Sequence, residues 1–186
     1  MSMTAELFKE KFPAIAEHCD PGGLEALLGC LETRNVKSGE YVMTDGEDSD
    51  SLFLVSEGRF VSQIANDKEG IPLGTLTAGD VFGEVNLLDP GPATSSVVAT
   101  QDSSLLVLNH TAFRKLDKTH PDMTGNILRM LSNILVERCR VADNLLFSKY
   151  EYINAAKSDA SAEHPNLFKW GLGILQQLHG HKGMQP

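Results

Sequence analysis

The sequence predicts a mainly β protein, an antiparallel sandwich or barrel flanked by helices. Two observations carry that reading. From Val36 to Leu108, short apolar runs recur between Gly-containing turn signals, the pattern of many short antiparallel strands. On either side of this stretch the apolar residues fall instead at helical spacing.

Before the strands, Leu7, Phe8, Phe12, Ile15 and Ala16, then Leu24, Leu27, Leu28 and Leu31, have helical periodicity over residues 4–34. Pro13 and the run Asp20-Pro21-Gly22-Gly23 break it into short helices. The strand runs are Tyr41-Val42-Met43, Leu52-Phe53-Leu54-Val55, Phe60-Val61, Gly74-Thr75-Leu76, Val97-Val98-Ala99 and Leu105-Leu106-Val107-Leu108. Ser38-Gly39, Asp45-Gly46, Glu57-Gly58, Glu69-Gly70, Ala78-Gly79 and Pro90-Gly91-Pro92 punctuate them. From about residue 122 to 146, Ile127, Leu131, Ile134, Arg138, Val141 and Leu145 alternate steps of four and three, which predicts one long amphipathic helix. Residues 154–163 read as a linker or weak helix, and residues 166–178 as an apolar tail around Trp170. The expected organisation is therefore a helical segment over 1–34, a barrel over 35–121, a long helix over 122–148, and a linker with an apolar helical tail over 149–186.

Composition narrows the function. The net charge is −9, with 16 Lys and Arg scattered among 25 Asp and Glu. Nucleic-acid binding draws on clustered basic residues, so no nucleic-acid partner is expected. No apolar run is long enough to span a membrane and no signal peptide opens the chain, so the expected location is cytoplasmic. Cys19, Cys30 and Cys139 have unrelated spacings and read as reduced, mostly buried thiols. The histidines do not cluster on strands as a metal enzyme in a barrel would need, and nucleophile-elbow, P-loop and HExxH motifs are absent. Neither an enzyme nor a metal site is expected.

Three stretches, SGEYVMTDGEDSDSLFLVSEGRF, TLTAGDVFGEVNLL and SSVVA, followed by the long helix, carry a resemblance. Over residues 24–146 the chain resembles the cyclic nucleotide-binding domain, the sensor half of the catabolite activator family and the regulatory module of cyclic-nucleotide-dependent kinases and channels. The resemblance implies a β jelly roll holding cAMP or cGMP as its ligand. It implies that Gly83, Val85 and Asn86, after Phe82, present backbone amides to the phosphate, since clustered amides bind anions. It further implies that Glu84 accepts a hydrogen bond from the ribose, that Phe60, Leu73 and Gly74 line the purine site, and that Thr94 and Ser95 reach the phosphate.

The chain departs from that pattern at Ala93, where binding members of the family carry arginine. Losing one partner of a buried charge pair costs about 2–5 kcal/mol, so a micromolar site weakens to between ~0.03 mM and several mM. Arg138 on the long helix is a candidate replacement for the lost charge, against the plainer expectation that it reaches the rim or pairs across a dimer. Asp143 lies where the activator family reads its purine, as an acceptor for an exocyclic amine or as a solvated charge. Two functions follow. One is a ligand-sensing regulatory module that relays through the long helix to an unknown downstream protein. The other is a degenerate pocket retained as an interaction or dimerisation module. The heptad-like stripe also suggests a parallel homodimer through that helix. The activator family appends a DNA-binding domain after this helix, and residues 147–186 are too few and too charge-balanced to read as one.

Overall fold

The computed structural model describes residues 3–64 and 71–158. Three helices come first: α1 (Ala5–Lys11), α2 (Pro13–Ala16) and α3 (Pro21–Cys30). Local chemistry sets their starts. The Asp20 carboxylate accepts the Gly23 N–H at 2.8 Å and Pro21 occupies the first turn, where its missing N–H costs nothing.

Ten strands follow: β1 (Glu32–Val36), β2 (Tyr41–Met43), β3 (Asp48–Ser49), β4 (Ser51–Glu57), β5 (Arg59–Ile64), β6 (Ile71–Thr77), β7 (Val81–Phe82), β8 (Gly91–Pro92), β9 (Ser96–Ala99) and β10 (Ser103–Asn109). They form one antiparallel sheet in the order β1-β10-β4-β7, a second in the order β2-β9-β5-β6, and a two-stranded pair β3-β8. The strand β1 begins at Glu32, inside the segment expected to stay helical to residue 34. Leu31 has already turned to extended backbone, and Glu32 to Val36 pair in register with Val107 to Ser103.

The first sheet lies between two cores, and strand alternation decides which residue joins which. Leu52 and Leu54 of β4, with Leu106 and Leu108 of β10, pack with the helices. Phe53, Val55 and Leu105 face the barrel interior with Met43, Phe60, Phe82, Ala93, Val97 and Ala99. This is the mainly β architecture with flanking helices that the sequence predicts.

Between β7 and β8 stands α4 (Glu84–Leu88); after β10 come α5 (His110–Thr119) and α6 (Pro121–Ser158). Asn109 caps α5 by accepting the Ala112 N–H at 2.8 Å. Thr124, fully buried, donates to Asp117 Oδ1 at 2.8 Å and fastens the start of α6 to α5. The helix α6 runs to Ser158, past the end that apolar spacing indicated, because its later residues continue the helical backbone without a continuous apolar stripe. Ile127 and Leu131 of the expected stripe are buried in the helical core, with Leu128 and Ile134 partly buried beside them.

The described chain divides into two units between Glu137 and Arg138. In the second, Arg138, Ala142 and Asp143 are exposed. The cysteine expectation is corrected: Cys19 and Cys30 are half-buried, and Cys139 is exposed because it lies on a stretch of α6, residues 136–140, whose side chains are all exposed. The tail at 166–178 and Gly70 lie outside the described residues.

Candidate functional site

The α4 loop is built from a backbone constraint outward. Gly83 has φ +79°, the left-handed region that favours glycine, and a Cβ there would collide with the Ser51 carbonyl oxygen. That close approach presses the start of α4 against β4. Glu84 follows at 1% exposure, a deeply buried carboxylate. Val85 is half-buried, and its carbonyl accepts the Asp89 N–H at 2.8 Å.

Asn86 is equally buried. Its Nδ2 donates to the Gly91 carbonyl at 2.9 Å and ties the two sides of the loop together, while its Oδ1 has no hydrogen-bond partner. Since a carbonyl can only accept, this contact also fixes which way the amide points. Leu87, 1% exposed, inserts into the helical core. Its carbonyl accepts a 2.7 Å hydrogen bond from His110 Nδ1 at the start of α5, which places the ring proton on that nitrogen.

The returning side of the loop is apolar where the resemblance implies a charge. Ala93 is 3% exposed and lies in the interior core. Its N–H donates to the Glu47 carbonyl at 2.8 Å and its carbonyl accepts the Gly46 N–H at 2.9 Å. Thr94 is exposed; Ser95 is half-buried and accepts from the Ser62 hydroxyl at 3.2 Å. Ser96 is buried and accepts the Asp45 N–H at 2.9 Å. Phe60 is fully buried, 6.0 Å from Phe82, which stacks on Phe53 at 4.9 Å.

The fold therefore brings Phe60, Phe82, Gly83, Glu84, Val85, Asn86, Ala93 and Ser95 onto the strands and loop around one core. Leu73 is 44% exposed, and a Cβ on Gly74 would meet open space. Arg138 and Asp143 belong to the second unit. Sequence reasoning missed an acidic groove of about 380 Å³ lined by Asp48, Ser49, Asp50, Pro90 and Gly91. It also missed the Asn86 clamp and the contact from His110. The only signal for the groove was the acidic run 45–50, which reads as a turn until β3 pairs with β8.

With this geometry in place, comparison identifies the class. The fold matches a cyclic nucleotide-binding domain from Methylobacillus flagellatus with a TM-score of 0.66, at 20% identity, covering 78% of this chain and 85% of that one. A cyclic AMP receptor protein of Thermus thermophilus is 27% identical over 165 residues, 87% of this chain and 73% of its own length. A cGMP-dependent protein kinase, egl-4, of Caenorhabditis briggsae is 31% identical over 111 residues, 59% of this chain but only 14% of the kinase. The family model for the cyclic nucleotide-binding domain matches residues 33–120, and that segment of the chain belongs to this family. Among the described residues no helix is long and apolar enough to cross a membrane, and no cluster of side chains could hold a metal ion.

Proposed function

We propose that the chain is a non-catalytic, cytoplasmic regulatory module that captures a small ligand, a cyclic nucleotide or a relative of one, at the α4 loop and passes the event to a downstream protein. The observation that carries this reading is the position of α4. Phe82 before it and Ala93 after it belong to the barrel interior, while Leu87 within it belongs to the helical core that also holds Phe113, Leu116, Ile127 and Leu131. A ligand that favours one placement of α4 thereby favours one packing of α5 and the start of α6, which is what a sensor requires. Beyond this packed part, α6 exposes Val136, Leu146, Phe147 and Tyr150, an apolar set suited to a homodimer.

Ala93 supports a second reading, a degenerate pocket serving as an interaction module. Calorimetric titration of the native chain and of Ala93→Arg with cAMP and cGMP separates the two. Binding by the native chain supports the ligand site, whereas a silent native chain with binding restored by Ala93→Arg supports the degenerate pocket. Silence from both, with both folded, favours the interaction module.

A further inference from the structure

The strands and the α4 loop carry charge of nearly one sign, whereas α5, which packs on α4, holds Arg114, Lys115 and Lys118. Between Ser38 and Phe113 the basic residues are Arg59 and Lys68, against twelve carboxylates. Lys68 lies outside the described residues. Arg59 opens β5, opposite Thr77, whereas Ser96 meets the same strand at Gln63. Four residues of strand, about 13 Å, separate the two ends. Carboxylates gather on the loop's side instead: Glu84 lies buried in α4, Asp89 follows it, and Asp48 and Asp50 line the groove beside Gly91.

An anion entering this surrounding meets like charge, and the residue that would neutralise it is a buried methyl group. Ala93 adds no donor, since its N–H already serves the Glu47 carbonyl. What the loop does hold is an unused buried acceptor. Asn86 is 1% exposed with its Oδ1 lacking a partner, an unfavourable state that an incoming hydroxyl or N–H relieves. Ser62 on β5 and Ser95, just before β9, add uncharged hydroxyls.

We infer that the α4 site takes an uncharged, hydroxyl-bearing ligand, for which a nucleoside is the probe, donating to Asn86 and Glu84, and discriminates against the corresponding cyclic phosphate. This rests on the reading of the α4 loop as a ligand site. The test is calorimetric titration of the full chain with adenosine, guanosine, cAMP and cGMP, repeated on Ala93→Arg and Asn86→Ala. The native chain is expected to bind a nucleoside at least tenfold more tightly than its cyclic phosphate. Ala93→Arg should reverse the order, and Asn86→Ala should weaken the nucleoside by tenfold or more.

The native chain alone decides the sign, whatever the variants' folding. Tighter binding of cAMP or cGMP than of either nucleoside overturns the inference and directs attention to Arg138. If the native chain binds cAMP or cGMP but no nucleoside, the inference is refuted and the ligand-site reading stands; if only Ala93→Arg binds, the inference is refuted and the native pocket is degenerate. If neither protein binds anything and both unfold cooperatively, the ligand-site reading falls and takes the inference with it.

Discussion

The two faces of the β1-β10-β4-β7 sheet bury different kinds of core. On the helical side Phe8, Phe12, Ile15, Leu24, Leu27, Phe113, Leu116, Met123, Ile127 and Leu131 pack against Leu52, Leu54, Leu106 and Leu108, all apolar and mostly large. The interior side is smaller. It combines three phenylalanines with Ala93 and Ala99 and abuts the loop that holds the buried polar residues Glu84 and Asn86. The first core is suited to holding the domain together and the second to shaping a site; β4 and β10 contribute to both, and α4 joins the helical core through Leu87 between the interior residues Phe82 and Ala93.

The sharpest way to break that contrast is to remove bulk from the helical core. Phe8 is fully buried with its ring 5.1 Å from that of Phe12. Phe8→Ala should cost about 3–5 kcal/mol, read as a lowered midpoint in urea unfolding. A loss below about 1 kcal/mol would show that α1 contributes little to the barrel's stability.

Gly83→Ala tests the junction between the cores. Its left-handed backbone and the collision with the Ser51 carbonyl oppose any side chain. The expected loss is about 1–3 kcal/mol from backbone strain alone, with weakened ligand binding because α4 must move. Unchanged unfolding would mean that β7 and β4 separate easily at this point.

Ala93→Arg probes the interior core. In the unliganded protein a large charged side chain replaces a buried methyl group, and overpacking of this kind costs about 1–3 kcal/mol. Saturating cAMP should recover part of the loss, since a ligand that binds only the folded state raises its stability. Scanning calorimetry with and without cAMP reads both effects. A variant as stable as the native chain and indifferent to cAMP would show that position 93 does not face the site.

Much of this was legible beforehand, for reasons specific to each element. Leu52 to Val55 and Leu105 to Leu108 read as strands because their sheet is covered on both faces, leaving continuous apolar runs. Glu32 to Val36 had no such signature: β1 is largely exposed, and only its pairing with β10 makes it a strand. The end of α6 was hidden because apolar periodicity reports packing, whereas helical backbone persists beyond it. At the site, Ala93 stood out against the family pattern, and its apolar surroundings give that departure a structural meaning. The Asn86 clamp on Gly91 and the groove beside Asp48 were not legible, since each depends on the β3-β8 pairing that only the fold supplies.

The smallest expected effect lies on the surface, in the turn after β1, and it sharpens the contrast by showing what surface charge contributes. Asp102 accepts from Lys37 Nζ at 2.7 Å and from the Ser38 N–H at 3.0 Å, and these two hydrogen bonds, the lysine's first, hold its carboxyl below the usual range. The same contact with Asp102 pushes the Lys37 ammonium up. A carboxylate lowered by folding stabilises at pH above its unfolded value, and that contribution disappears as pH falls through the folded value. A raised lysine stabilises below its ordinary value and ceases to do so as pH rises through the folded one. The pair therefore acts across the neutral range and fades at both extremes. Asp102→Asn should lower the unfolding midpoint slightly at pH 7. The difference from the native chain should shrink below about pH 4 and in about 1 M salt, because both partners are solvent-exposed and screened. A difference that survived acid and salt alike would mean that Asp102 acts through its hydrogen bond to the turn's backbone, making geometry rather than charge the stabilising feature of this surface.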